Sequence, residues 1–145
     1  MRQPYVLVAA MVVCMLRTAA AATLLVLPDG TGDYATIQEA VNAAAAGDTL
    51  QLGAGTFIGA GNRNVSVYKD LTIRSQDGVA ANCAIDCQGP GRGLLIVGTS
   101  AAMVVEGITI RNGNMFHGGG IHCSAASPTI RNCVLENNGA SANLR

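Results

Sequence analysis

From Met103 to Ala140 the chain alternates apolar and polar positions in short bursts broken by Gly and Asn, and one burst is written twice. Val104-Val105-Glu106-Gly107-Ile108-Thr109-Ile110-Arg111-Asn112 lies over Thr129-Ile130-Arg131-Asn132-Cys133-Val134-Leu135-Glu136-Asn137, with apolar mostly on apolar and Asn on Asn. Further upstream Val67 to Ser75 fits the same template, Leu71 over Ile108 and Ile73 over Ile110, and Leu50-Gln51-Leu52 fits Leu71-Thr72-Ile73. Repeats of roughly 20 to 25 residues, made of short strands with turns rich in Gly, Asn and Ser, predict a solenoid with one coil per copy. Within each copy the period of two puts Leu71 and Ile73, Ile108 and Ile110, and Cys133 and Leu135 on one face, and Thr72, Thr109 and Val134 on the other. With coils stacked at the inter-strand spacing of ~4.8 Å, the first set forms internal columns and the second faces solvent. Asn112 and Asn137 fall in register, either as a side-chain amide ladder from coil to coil or as two turn asparagines.

The pattern changes upstream. Thr23 to Leu27 reads as a strand, ended by Pro28-Asp29-Gly30. Thr36-Ile37-Gln38-Glu39 is a capping box, and Ile37, Ala40, Val41 and Ala44 make one apolar stripe that Gly47 stops. A solenoid exposes the apolar end of its first coil, so the helix expected over 36–46 is read as its N-terminal cap. Asp48 to Leu52 is then the first coil strand and Gly53 to Phe57 leads to a second. Residues 59–64 form a loop, 65–75 the next coil, and 76–93 a longer excursion. Regular coils resume at Leu94. Asn64-Val65-Ser66 is a glycosylation sequon, meaningful in a eukaryotic source. The glycines at 30 and 32 spell no phosphate loop.

Residues 1–22 stand apart. Arg2 supplies a positive start, Tyr5 to Leu16 is an apolar run, and Thr18 to Ala22 offers small residues to a signal peptidase. The run falls short of the about 20 residues needed to span a bilayer, so 1–22 is read as a signal peptide and 23–145 as the N-terminal part of the solenoid domain. The chain has 145 residues, 9 basic and 9 acidic groups and 18 glycines, with 3% aromatic residues. That length fits one domain, and the balanced charge gives no footprint for nucleic acid. An aliphatic, glycine-rich chain poor in aromatics suits a narrow solenoid interior.

Cys83, Cys87, Cys123 and Cys133 remain after the signal, an even number that permits disulfides in an exported chain. Cys83 and Cys87 sit in a loop-like segment and are placed to close a small ring. Cys133 reads equally as a small buried hydrophobe. With His117 and His122 as helpers, the cysteine spacing makes only a poor zinc pattern.

Two segments carry a resemblance. Asp29-Gly30-Thr31-Gly32-Asp33-Tyr34 with Thr36-Ile37-Gln38-Glu39-Ala40-Val41 resembles the opening of right-handed parallel β-helix proteins of the pectin-lyase-like superfamily, pectin methylesterases among them. Gly118-Gly119-Gly120-Ile121 followed by Ser127 to Asn138 is similar to repeats of extracellular β-helix proteins, including chlamydial polymorphic outer membrane proteins, with Val134 where their motif has Phe. The resemblance implies an all-β solenoid, a right-handed parallel β-helix with an N-terminal capping helix. Enzymes of that superfamily use acidic side chains on neighbouring coils, with Ca²⁺ and a basic residue in the lyases and close Asp pairs in the hydrolases and esterases.

No such column is spelled here. Thr72, Thr109 and Val134 are inert. Arg74, Arg111 and Glu136 form a mixed row, and Lys69, Glu106 and Arg131 align with alternating sign, which suits inter-coil ion pairs of about 0.2 to 1 kcal/mol each. Asp86 has no second carboxylate near it in sequence, and His117 and His122 flank the glycine turn without a nucleophile. No catalytic, cofactor-binding or metal-ligating residue is therefore assigned. Gly139 to Arg145 stops where a further glycine-rich turn is expected and spells no amphipathic cap, so the chain reads as C-terminally incomplete. The expectation is a secreted or cell-surface scaffold, at the outer membrane in a bacterium, that contacts extracellular polysaccharide or a cell-surface ligand. It has no transmembrane span in this chain, and its oligomeric state is left open. The alternative is a polysaccharide-acting lyase or esterase whose catalytic coils lie beyond Arg145.

Overall fold

A computed structural model describes residues 19–140. It contains β1 (Thr23–Val26), α1 (Ile37–Ala43), β2 (Thr49–Leu52), β3 (Gly55–Phe57), β4 (Val65–Val67), β5 (Thr72–Ser75), β6 (Cys83–Pro90), β7 (Leu94–Val97), β8 (Val104–Glu106), β9 (Thr109–Asn114), β10 (Ile121–Ser124), β11 (Thr129–Arg131) and β12 (Val134–Glu136). Every strand pairing is parallel, and the strands sort into three sheets ordered β1-β2-β5-β8-β11, β3-β6-β9-β12 and β4-β7-β10. Each of the three complete turns, β2 to β4, β5 to β7 and β8 to β10, thus gives one strand to each sheet, in a parallel β-solenoid of about four turns. The strands stay short because the chain must bend between faces. Asn64, Asn112, Asn132 and Asn137 take left-handed φ of 52 to 57° at such bends, a conformation that Asn tolerates better than most residues.

The register of the last two turns is the one written in the sequence. Val104 pairs with Thr129, and Thr109 with Val134. The two upstream alignments are corrected. Ile73 pairs with Val105 rather than Ile110, and Leu50 pairs with Ile73 rather than Leu71. Leu71-Thr72-Ile73-Arg74 and Ile108-Thr109-Ile110-Arg111 look alike but belong to different sheets, because apolar-Thr-apolar-Arg suits a strand on any face. Residues 76–93 are not an excursion throughout: they contain β6, the longest strand, which lies between β3 and β9.

Alternation was a sound guide to the interior all the same. Leu50, Leu52, Ile73, Val105, Phe57, Ile85, Ile110, Val65, Val67, Leu94 and Ile96 are fully buried and form one core. Thr109 departs from its expected solvent-facing place: a 3-10 turn at Ala80–Asn82 covers it, and its hydroxyl donates to Ala80 O at 2.8 Å. In the last turn the inward positions are open. Leu135 is 51% exposed and Cys133 only half-buried, since no described strand lies over β12.

Helix α1 packs on β1, β2 and β4 and buries Ile37, Ala40 and Val41. Thr36 Oγ1 accepts from Glu39 N at 3.2 Å, as the capping box requires, while Glu39 reaches one residue further back to Ala35 N. The Gln38 side chain lies along β4, accepting from Ser66 N at 2.8 Å and donating to Ser66 O at 3.2 Å. It takes the place a neighbouring strand would hold. The helix stops at Ala43, short of residue 46, because Lys69 Nζ donates to Ala44 O and Asp48 accepts from Ala45 N. Of the segment read as a signal peptide, residues 1–18 lie outside the described part, as do 141–145 at the other end. Ala22 is already tied into the first turn through Asp48 Oδ1 and Thr49 N. No helix among the described residues is long and apolar enough to cross a membrane.

Candidate binding surface

The outward positions of the sheets form rows that climb from turn to turn. On the first sheet the row is Gln51, Arg74, Glu106, Arg131. On the second it is Asp86, Arg111, Glu136. On the third it is Ser66, Leu95, His122. Both charged rows alternate in sign. This corrects the rows read from sequence: Arg74 stands beside Glu106 rather than Arg111, and Lys69 leaves the row to hold the Ala44 carbonyl.

Alternation lets successive turns bond to one another. Arg131 Nη2 meets Glu106 Oε2 at 2.9 Å, and Arg111 Nε meets Asp86 Oδ2 at 3.0 Å. Asn112 Nδ2 donates to both Asp86 oxygens at 3.0 and 3.1 Å, and Gln88 N donates to Oδ1 at 3.0 Å. These bonds, the Asn112 amide first among them, hold the Asp86 carboxyl below its usual range. The Arg131 guanidinium does the same for Glu106. The expected ladder of Asn112 and Asn137 is thus replaced one step down by Asn112 on Asp86.

Asp86 looked isolated because it was assigned to a loop. A signal for its true neighbours was present: Cys83-Ala84-Ile85-Asp86 lies over Ile108-Thr109-Ile110-Arg111 at the same spacing that governs the last repeat. The pairing holds from Ala84 to Asp86, and the register then shifts before Gly89. Asn138 was also missed. Its side chain plugs into the turn below, accepting from Gly113 N at 2.9 Å and donating to Ile110 O at 2.8 Å.

The four described cysteines, Cys83, Cys87, Cys123 and Cys133, are free thiols. Cys83 and Cys87 are buried on one strand, not in a loop, and the stretch of strand between them separates their Cα atoms by about 13 Å, beyond the reach of a disulfide. The small ring is therefore ruled out by geometry. Burial, assisted by Asp77, pushes the Cys83 thiol up to about 12. Cys133 packs against the core with its Sγ near Arg131 O and Val105 O. Among the described residues no cluster of three or more His, Cys, Asp or Glu side chains gathers in one place. Asn64 of the sequon uses Oδ1 to accept from Arg92 N at 2.8 Å.

His117 and His122 do come together, with ring centroids 6.1 Å apart. The glycine turn beside them follows from close backbone approach. A Cβ on Gly119 would strike Gly113 O and Gly139 O, so only glycine fits. Near this turn Gly118, Gly120, Leu135, Asn137 and Ala140 line a shallow depression of about 330 Å³. No pair of carboxylates shares an outward row on adjacent turns among the described strands. Compared with known proteins, the chain matches no protein-family model, no curated protein and no solved structure.

Proposed function

We propose that the chain is a non-catalytic, right-handed β-helix scaffold, secreted or displayed at the cell surface, whose outer faces serve adhesion or glycan contact. The observation that carries this reading is the alternation of charge along the outward rows. Side chains that a polyuronate enzyme would group as carboxylates on adjacent turns stand here opposite arginines, and Arg111 and Arg131 bond the turn below. Such rows hold turns together and leave a regular, hydrogen-bonding exterior of Arg, Asn, Ser and Thr that a polysaccharide can lie against. In the same reading α1 is the N-terminal cap, supported by its buried stripe and by the Gln38 amide on the free side of β4. The signal-like segment 1–22 supports export.

The test is binding of purified protein to source-matched cells and to a panel of extracellular polysaccharides, with surface attachment compared between the parent strain and a deletion. The proposal expects retention on at least one such surface and weaker attachment on deletion. Absence of both would overturn it.

A further inference from the structure

The turn between β9 and β10 brings together the two histidines of the described chain, and neither imidazole is engaged in a hydrogen bond or ion pair among the described residues. His117 sits at φ 62°, a left-handed conformation that a side-chain-bearing residue adopts at a cost. Gly118 follows at φ 106°, with its Cβ direction 3.1 Å from Ile121 O and 3.8 Å from His122 Cβ, so the turn folds back over the start of β10. His122 stands in the outward row of the third sheet, above Leu95. Phe116 lays its ring edge-on to His117 at 4.1 Å, and Arg92 Nη2 fixes the same turn through Phe116 O at 3.1 Å. No hydrogen bond among the described residues occupies either imidazole, and the ring contacts are Phe116 with His117 and His117 with His122.

We propose that His117 and His122 form a two-imidazole site for a first-row transition-metal cation of the Ni²⁺ or Zn²⁺ kind, with water completing the shell. A metal bound at about 2.1 Å from nitrogen lies roughly 3.2 Å from the ring centre, so two rings share one cation when their centres are within about 6.4 Å. The observed 6.1 Å lies between the about 6.4 Å of two rings on opposite sides of the ion and the tetrahedral separation, so ring rotation has to bring the nitrogens to one point. A tetrahedral angle needs about 5.2 Å, an approach of about 1 Å, and His117 is the exposed partner of the two. Imidazole ligands suit Ni²⁺ and Zn²⁺. The site is independent of the scaffold reading, since it uses neither charged row.

The experiment is calorimetric titration of the untagged protein with NiCl₂, repeated with ZnCl₂, in a non-coordinating buffer. One ion per chain is expected, with affinity reduced about tenfold or more in both His117→Asn and His122→Ala. Asn accepts the left-handed backbone at position 117, so that variant keeps the turn; circular dichroism checks the fold of each. Cys123→Ser separates the exposed thiol from the imidazoles and is expected to bind as the parent does. No binding, binding unchanged in the two histidine variants, or binding abolished by Cys123→Ser would each overturn the proposal.

Discussion

The Asp86 carboxylate receives Arg111, Asn112 and Gln88, so truncating it strands donors from the turn above as well as its own. Asp86→Ala is expected to destabilise the protein by about 1 to 3 kcal/mol, measured by urea unfolding. Because the folded carboxyl is held below its ordinary value of 3.8, its contribution is present above that value and fades as pH falls through the folded value. The gap in melting temperature between parent and Asp86→Asn should therefore be flat above about pH 5 and close in more acidic buffer. Ser75 works the other way. It is 2% exposed, points inward beside Leu52 in the stack, and its hydroxyl has no partner. Ser75→Ala is expected to be neutral or stabilising by about 1 kcal/mol. Among the thiols, Cys123 is exposed while Cys83 and Cys87 are buried and held protonated. Alkylation of native protein followed by peptide mapping should mark Cys123 well before either buried thiol.

At the scale of elements, the strands and the helix were legible because their signals are local. The capping box and stripe placed α1 to within a few residues, and period-two alternation picked the inward Leu50 and Leu52 of β2, Ile73 of β5 and Ile110 of β9. What alternation cannot encode is which sheet a strand joins. A short strand carries only a pair of inward positions, and Leu71-Thr72-Ile73 meets that demand as well as Ile108-Thr109-Ile110 does. Hence the mistaken offsets, the loss of β6 to a supposed loop, and the separation of Asp86 from Arg111. The helix end was missed for a different reason: Lys69 and Asp48 capture backbone groups of Ala44 and Ala45 from residues outside the helix. The glycine turn offers a test at this scale. Gly119→Ala inserts a methyl against two carbonyls of neighbouring backbone, which cannot swing aside as a side chain would. A loss of about 1 to 3 kcal/mol is expected, read from the thermal midpoint.

For the molecule as a whole, stability runs along the stack, because each turn rests on its neighbours. Ile110 lies under Leu135 and over Ile85, whereas Leu135 has a neighbour on one side only among the described strands. Ile110→Ala should cost about 2 to 5 kcal/mol. Leu135→Ala, at a half-exposed site, should cost well under half of that, and equal losses would contradict the stacking order. Function was less legible than fold at this scale. An alternating row was readable from sequence, but its members, Arg74 beside Glu106 and Asp86 beside Arg111, became visible only once register was known, and the proposed scaffold reading rests on them. The central claim is therefore tested most directly by incubating the full chain with polygalacturonate and with its methyl ester in the presence of Ca²⁺, then following polymer length, unsaturated ends and released methanol in one sample. The scaffold account predicts polymer length and esterification unchanged at every protein concentration. Chain shortening, unsaturated uronate or methanol that scales with protein amount, and co-elutes with the chain on gel filtration, would contradict it.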